Sequence, residues 1–162
     1  IERTRRVEES TDGRWVPQFL SLSAAIDNSR KDQTLNTPAL ATIVMAERQV
    51  RWLLERGGMD AVSAHCAQAS SLIYDWAEAN LAARPFVDNP AWRSPVTATI
   101  EINEAASVSE LAAHLRARGI VDIGAYRGVG ANQLRIGTWP SVEVDDVEAL
   151  LACIDYCLER VL

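Results

Sequence analysis

The stretch VTATIEINEAASVSELAAHLRARGIVDIGAYRGVGANQLRIGTW, Val96–Trp139, decides the fold. Its first segment, VTATIEIN, alternates threonine with branched apolar residues, the period-two pattern of a half-buried strand. SVSELAAHLRARG reads as a capped helix: Ser107 or Ser109 opens it, Glu110 sits in its first turn, and Gly119 stops it. IVDIGAY is a second strand candidate, RGVGA a glycine-rich turn, and NQLRIGTW a returning strand. Beyond it, EVDDVEALLACIDYCLERVL reads as a terminal helix whose acids lie at its start, where the helix dipole favours them. The order strand, helix, strand, strand, helix predicts an antiparallel sheet covered on one face by two helices, an α+β small domain within the α/β class.

Working outward, NTPALATIVMAERQVRWLLERGG carries the clearest helix pattern. Asn36 or Thr37 can cap it, Pro38 suits the first turn, and Gly57-Gly58 ends it. Leu40, Ile43, Val44, Val50, Leu53 and Leu54 form a broad apolar stripe on it. MDAVSAHCAQASSLIYDWAEAN is a second, longer helix with an Ala/Ser-rich middle suited to close packing. LAARPFVDNPAWRSP, with three prolines, is a connector holding at most a short strand. Upstream, SRKDQTL is loop-like, RWVPQFLSLSAAIDN is expected as an extended piece or turn broken by Pro17, and Ile1–Asp12 as a polar helix end or arm. The chain begins mid-pattern at Ile1, so it is expected to be a piece cut from something longer.

Composition bounds the function. The 162 residues are 48% hydrophobic and 23% charged, ordinary for a globular protein. A net charge of −6 argues against a general nucleic-acid binder, which needs a basic face to release counterions. Apolar runs fall far short of the roughly 20 residues of a membrane helix, and no secretory pattern opens the chain. Cys66, Cys153 and Cys157 have no zinc spacing; Cys153 and Cys157, four apart on one predicted helix, are read as two core thiols, and a reducing cytoplasm is expected. No metal site is expected.

Three features could carry chemistry. Asn36-Thr37-Pro38 at a helix start offers free N–H groups, an amide and a hydroxyl to an anion, or is a plain cap. Arg135, between Leu134 and Ile136, faces the opposite side of its strand from those apolar neighbours. If that side is a cleft, its planar fork suits a carboxylate; otherwise it is a solvated strand arginine. Arg127 stands beside the flexible turn. Gly124, Gly128 and Gly130 make no nucleotide fingerprint, His65 and His114 fall on helices away from the arginines, and Lys31, the one lysine beside fifteen arginines, lies in a loop. The residues alone support an acidic α/β domain with anion-binding arginines.

DNSRKDQTLNTPALAT, WLLERGGMDAV, LIYDW, LRARGIVDIGAYRGVGANQLRIGTWP and VEVDDVEALLACIDY together resemble, in order, the C-terminal part of the phosphoserine aminotransferase family in its actinobacterial form. The resemblance implies a fold-type I enzyme using pyridoxal 5′-phosphate. Such an enzyme exchanges an amino group between glutamate and 3-phosphohydroxypyruvate, giving 2-oxoglutarate and phosphoserine. It serves serine and, in many bacteria, pyridoxine biosynthesis, as a cytoplasmic homodimer with active sites at the subunit interface.

By the same resemblance, Asn36 and Thr37 would contact the cofactor phosphate held mainly by the neighbouring subunit. Arg135 would hold the substrate α-carboxylate, and Arg127 would lie near the substrate phosphate. Tyr126 stands where many relatives have histidine; it can donate a hydrogen bond but carries no charge. The family's Schiff-base lysine lies upstream of this chain, and Lys31 is not at its motif, so no catalytic residue is assigned and the isolated chain is expected to be inactive.

The domain organisation implied is residues 1–57 as the edge of the large cofactor-binding domain, 58–95 as a connecting helix and linker, and 96–162 as the small domain. The competing reading is a non-catalytic module that binds an anionic metabolite through Arg127 and Arg135.

Overall fold

A computed structural model of the chain describes residues 2–9, 15–126 and 132–160. In chain order the elements are helices α1 (Glu2–Glu9), α2 (Leu22–Ser29), α3 (Leu40–Glu55) and α4 (Gly58–Ala79), strands β1 (Ala83–Pro85) and β2 (Thr97–Ile102), helix α5 (Val108–Arg116), strand β3 (Gln133–Gly137) and helix α6 (Val144–Arg160). Two compact units divide the chain, Ile1–Trp52 and Leu53–Leu162.

The second unit holds the core. Its sheet has the order β1-β2-β3, antiparallel throughout. Burial alternates along β2: Ala98, Ile100 and Ile102 are enclosed while Thr97, Thr99 and Glu101 are half-buried. The register sets Ala98 opposite Ile136 and Ile100 opposite Leu134, so one face of the sheet is apolar across both strands. Onto it pack Ile73 and Ala77 of α4, Leu111 and Leu115 of α5, and Leu151 and Ile154 of α6. Three helices therefore cover this face, not the expected two. The third is α4, whose small residues Ala69 and Ser70 are buried, as its Ala/Ser-rich middle suggests.

Local signals explain the element ends. Ser107 caps α5 by accepting from the Glu110 N–H at 3.4 Å. After α5, Gly119 takes φ +88°, and the Ile120 N–H returns to the Leu115 carbonyl at 3.0 Å. That left-handed step is natural to glycine and closes the helix as expected. Gly57, at φ +100°, likewise separates α3 from α4.

Several expectations are corrected. IVDIGAY is not a strand: Asp122 takes φ +61°, which breaks an extended run, and the segment keeps one ladder-like bond, from the Arg135 N–H to the Ile123 carbonyl at 2.8 Å. The third strand is instead β1, from the proline-rich connector. Pro85 is tolerated there because it sits at a non-hydrogen-bonded position of an edge strand, and the Phe86 N–H still donates to the Thr99 carbonyl at 3.0 Å.

In the first unit, Leu22–Ser29 is helical rather than extended, because Ser21 caps it by accepting from the Ala24 N–H at 3.1 Å. α3 begins at Leu40, so Pro38 precedes the helix and neither Asn36 nor Thr37 is its cap. The first α-helical bond there runs from the Ile43 N–H to the Ala39 carbonyl. No residue of α3 is buried, and Leu40, Ile43, Val44, Val50 and Leu54 of the apolar stripe are each more than half exposed. No described helix is long and apolar enough to cross a membrane.

Candidate functional site

The parity of β3 builds the site. Leu134 and Ile136 turn into the core, so Gln133 and Arg135 stand on the other face, opposite Glu101 and Thr99 of β2. That face is polar: Thr97, Thr99, Glu101 and Arg135 are half-buried on it, and Arg84 of β1 pairs with Glu101 across the strands. The Arg135 guanidinium carbon lies 4.7 Å from the centre of the Tyr126 ring, a cation–π contact that sets its direction without neutralising it. No acid among the described residues pairs with it. Tyr126 is itself 56% exposed. The structure thus brings Tyr126 and Arg135 together; Arg127 and the glycine turn after it lie outside the described residues.

Two neighbours of Arg135 have roles that the sequence reading missed. Asn132 ties the strand end to the α5 start. Its Nδ2 donates toward the carbonyls of Ile102, Asn103 and Ala106 at 2.9, 3.0 and 2.9 Å, and its Oδ1 accepts from the Val108 N–H at 2.9 Å. Gln133 is 4% exposed, and its Oε1 is buried with no hydrogen-bond partner among the described residues. Strand parity was a signal available for Gln133, since it is two residues before Arg135. Nothing local marks Asn132, whose partners lie 24 to 30 residues upstream.

Asn36 and Thr37 lie in the exposed segment before α3, and neither side chain is engaged in a hydrogen bond within the described residues. Lys31 is exposed in the turn after α2. His65 has a structural partner: its Nε2 is 2.8 Å from the Val142 carbonyl. Among the described residues no cluster of histidine, cysteine and acid could hold a metal. A groove of about 530 Å³ runs between Val121, Ile136, Trp139 and Leu150, with no contribution from Arg135.

Two groups of the core are shifted by their surroundings. Burial pushes the Tyr74 hydroxyl above its usual value, opposed by the Arg93 guanidinium, which lies 5.1 Å from the ring centre. Burial also raises the Cys66 thiol, as suits an inert core cysteine.

No family model matches the chain. It is 45% identical over 160 residues, 99% of its length, to the phosphoserine aminotransferase of Rhodococcus jostii. The chain belongs to the phosphoserine aminotransferase family. It spans 42% of that relative's length and corresponds to the C-terminal portion of the family. Among solved structures, the phosphoserine aminotransferase of Bacillus circulans subsp. alkalophilus matches 87% of the chain and 38% of its own length, at 25% identity and a TM-score of 0.76. The PLP-bound phosphoserine aminotransferase of Trichomonas vaginalis matches 88% of the chain and 40% of its own length, at 18% identity and a TM-score of 0.68, a likeness of fold. The resemblance read from the motifs and its fold-type I architecture are therefore correct.

Proposed function

We propose that this chain supplies the substrate-carboxylate half of a phosphoserine aminotransferase. The whole enzyme would exchange the amino group between glutamate and 3-phosphohydroxypyruvate in serine biosynthesis, acting as a cytoplasmic homodimer. The observation that carries the reading is Arg135, a guanidinium on the polar sheet face with no acidic partner among the described residues. A fork of N–H donors fixed on a strand takes a carboxylate through two parallel bonds. Tyr126 braces the guanidinium while leaving its edge open, and its hydroxyl can donate to a phosphate oxygen. Arg127 is assigned to the phosphate side of the substrate on the family resemblance alone.

Pyridoxal 5′-phosphate, when bound, supplies the electron sink for amino-group transfer. Asn36 and Thr37 fit its phosphate chemically: an amide and a hydroxyl, adjacent, exposed and unengaged, offer donors to anionic oxygens. They would hold that phosphate across the dimer interface. Lys31, in its exposed turn, is given no role. Residues 1–57 would belong to the cofactor domain, 58–95 to the connection and 96–162 to the small domain.

The competing module, which binds an anion without catalysis, uses the same Arg135. Titration of O-phosphoserine into the chain and into Arg135→Ala tests the clamp. A loss of roughly tenfold or more is expected, the worth of a charge-assisted pair, and equal affinity would refute it. Reaction of the full-length parent with glutamate and 3-phosphohydroxypyruvate then separates enzyme from module.

A further inference from the structure

We propose that Gln133 is a second ligand-contacting residue of the Arg135 face. Its carboxamide would bridge the guanidinium and the bound carboxylate. The inference rests on the Arg135 clamp and goes beyond it by naming the group that completes the carboxylate's hydrogen bonds.

Gln133 and Arg135 are two residues apart on one strand and share a face, so both side chains reach one bound group. Gln133 is 4% exposed, yet its Oε1 has no partner among the described residues. A buried carbonyl oxygen left unpaired is costly, and an apolar side chain of similar size would avoid the cost. Beside it, Arg135 has no hydrogen-bonded acid among the described residues, so its donors are unspent. A carboxylate gripped bidentately uses two of the five guanidinium N–H groups and about half of its own lone-pair sites. Gln133 has the complementary pair: Oε1 accepts a remaining guanidinium N–H, and Nε2 donates to a remaining carboxylate site. With a ligand in place, the unpaired oxygen and the spare donors satisfy one another. No bond is made or broken; the contact is recognition of a carboxylate-bearing phosphate ester.

The test compares O-phosphoserine with O-phosphoethanolamine, which lacks the carboxylate, by calorimetric titration of wild type, Arg135→Ala and Gln133→Leu. Wild type is expected to prefer phosphoserine. Gln133→Leu should lose roughly tenfold in phosphoserine affinity, about one hydrogen bond to a charged group, and bind phosphoethanolamine as wild type does. The unliganded Gln133→Leu chain should melt at or above the wild-type temperature, because the unpaired oxygen is gone. A purely structural glutamine would give the reverse: a lower melting temperature with the preference intact. That outcome overturns the proposal while leaving the clamp standing. No carboxylate preference in wild type, or a preference that survives Arg135→Ala, overturns the clamp and this inference with it.

Discussion

Replacing Asn132 with alanine tests whether the strand carrying Arg135 is anchored as described. The Nδ2 group has two hydrogens for three carbonyls at 2.9–3.0 Å, so two bonds are made at any instant, and Oδ1 adds the bond from the Val108 N–H. Three bonds at about 1 kcal/mol each give a loss of about 3 kcal/mol. Asn132→Asp separates hydrogen bonding from shape. It keeps the Val108 bond but turns a carboxylate toward three carbonyl oxygens, so it should cost about as much as alanine at neutral pH. Because the charged form is disfavoured there, the folded-state pKa of the introduced acid is raised. Its stability should therefore recover as pH falls and the acid regains a donor. Urea denaturation followed by far-UV circular dichroism measures both variants. Losses below about 0.5 kcal/mol for both, outside the range one hydrogen bond alone would give, would refute the anchoring.

Ile100→Ala, at a fully enclosed position of the central strand, should cost about 2–5 kcal/mol in the same urea assay, the range for large-to-small core changes. Tyr74→Phe removes the hydroxyl that donates to the Ser94 carbonyl at 3.2 Å and should cost about 1 kcal/mol. Burial raises the Tyr74 pKa in the folded state. Its contribution is thus whole below the ordinary tyrosine value near 10 and lost as pH climbs through the raised one. Denaturation midpoints between pH 8 and 11 should fall less steeply in Tyr74→Phe than in wild type. Ser107→Ala should lose about 1 kcal/mol through the missing cap, measurable as a lower thermal midpoint.

What could be read from the sequence had local causes. β2, α5, β3 and α6 follow from periodicity and caps carried within each segment, and the facing of Arg135 follows from its place between Leu134 and Ile136. The failures had partners elsewhere or competing local geometry. The connector around Pro85 is open to a short strand, and pairing with β2 is what makes it one. IVDIGAY has strand composition, but Asp122 enters the left-handed region and pairs with Arg116 at 2.9 Å. Asn132 looks like any turn asparagine until its four backbone partners are known. The unpaired oxygen of Gln133 is a fact of burial, which composition does not carry.

The division of the sheet into an apolar and a polar face has a consequence for how firmly Arg135 is placed. A slip of β3 by one residue would drive Arg135 into the core and Leu134 onto the polar face, at the cost of burying an unpaired charge. The arginine therefore inherits its position from Ile100, Leu134 and Ile136, residues of the core. The connection between α5 and β3 can then differ in length while the pairing of β3 with β2 still fixes which face carries Arg135. The facing of side chains on β3 is thus set by the apolar pattern of the strand itself and not by the segment that leads into it.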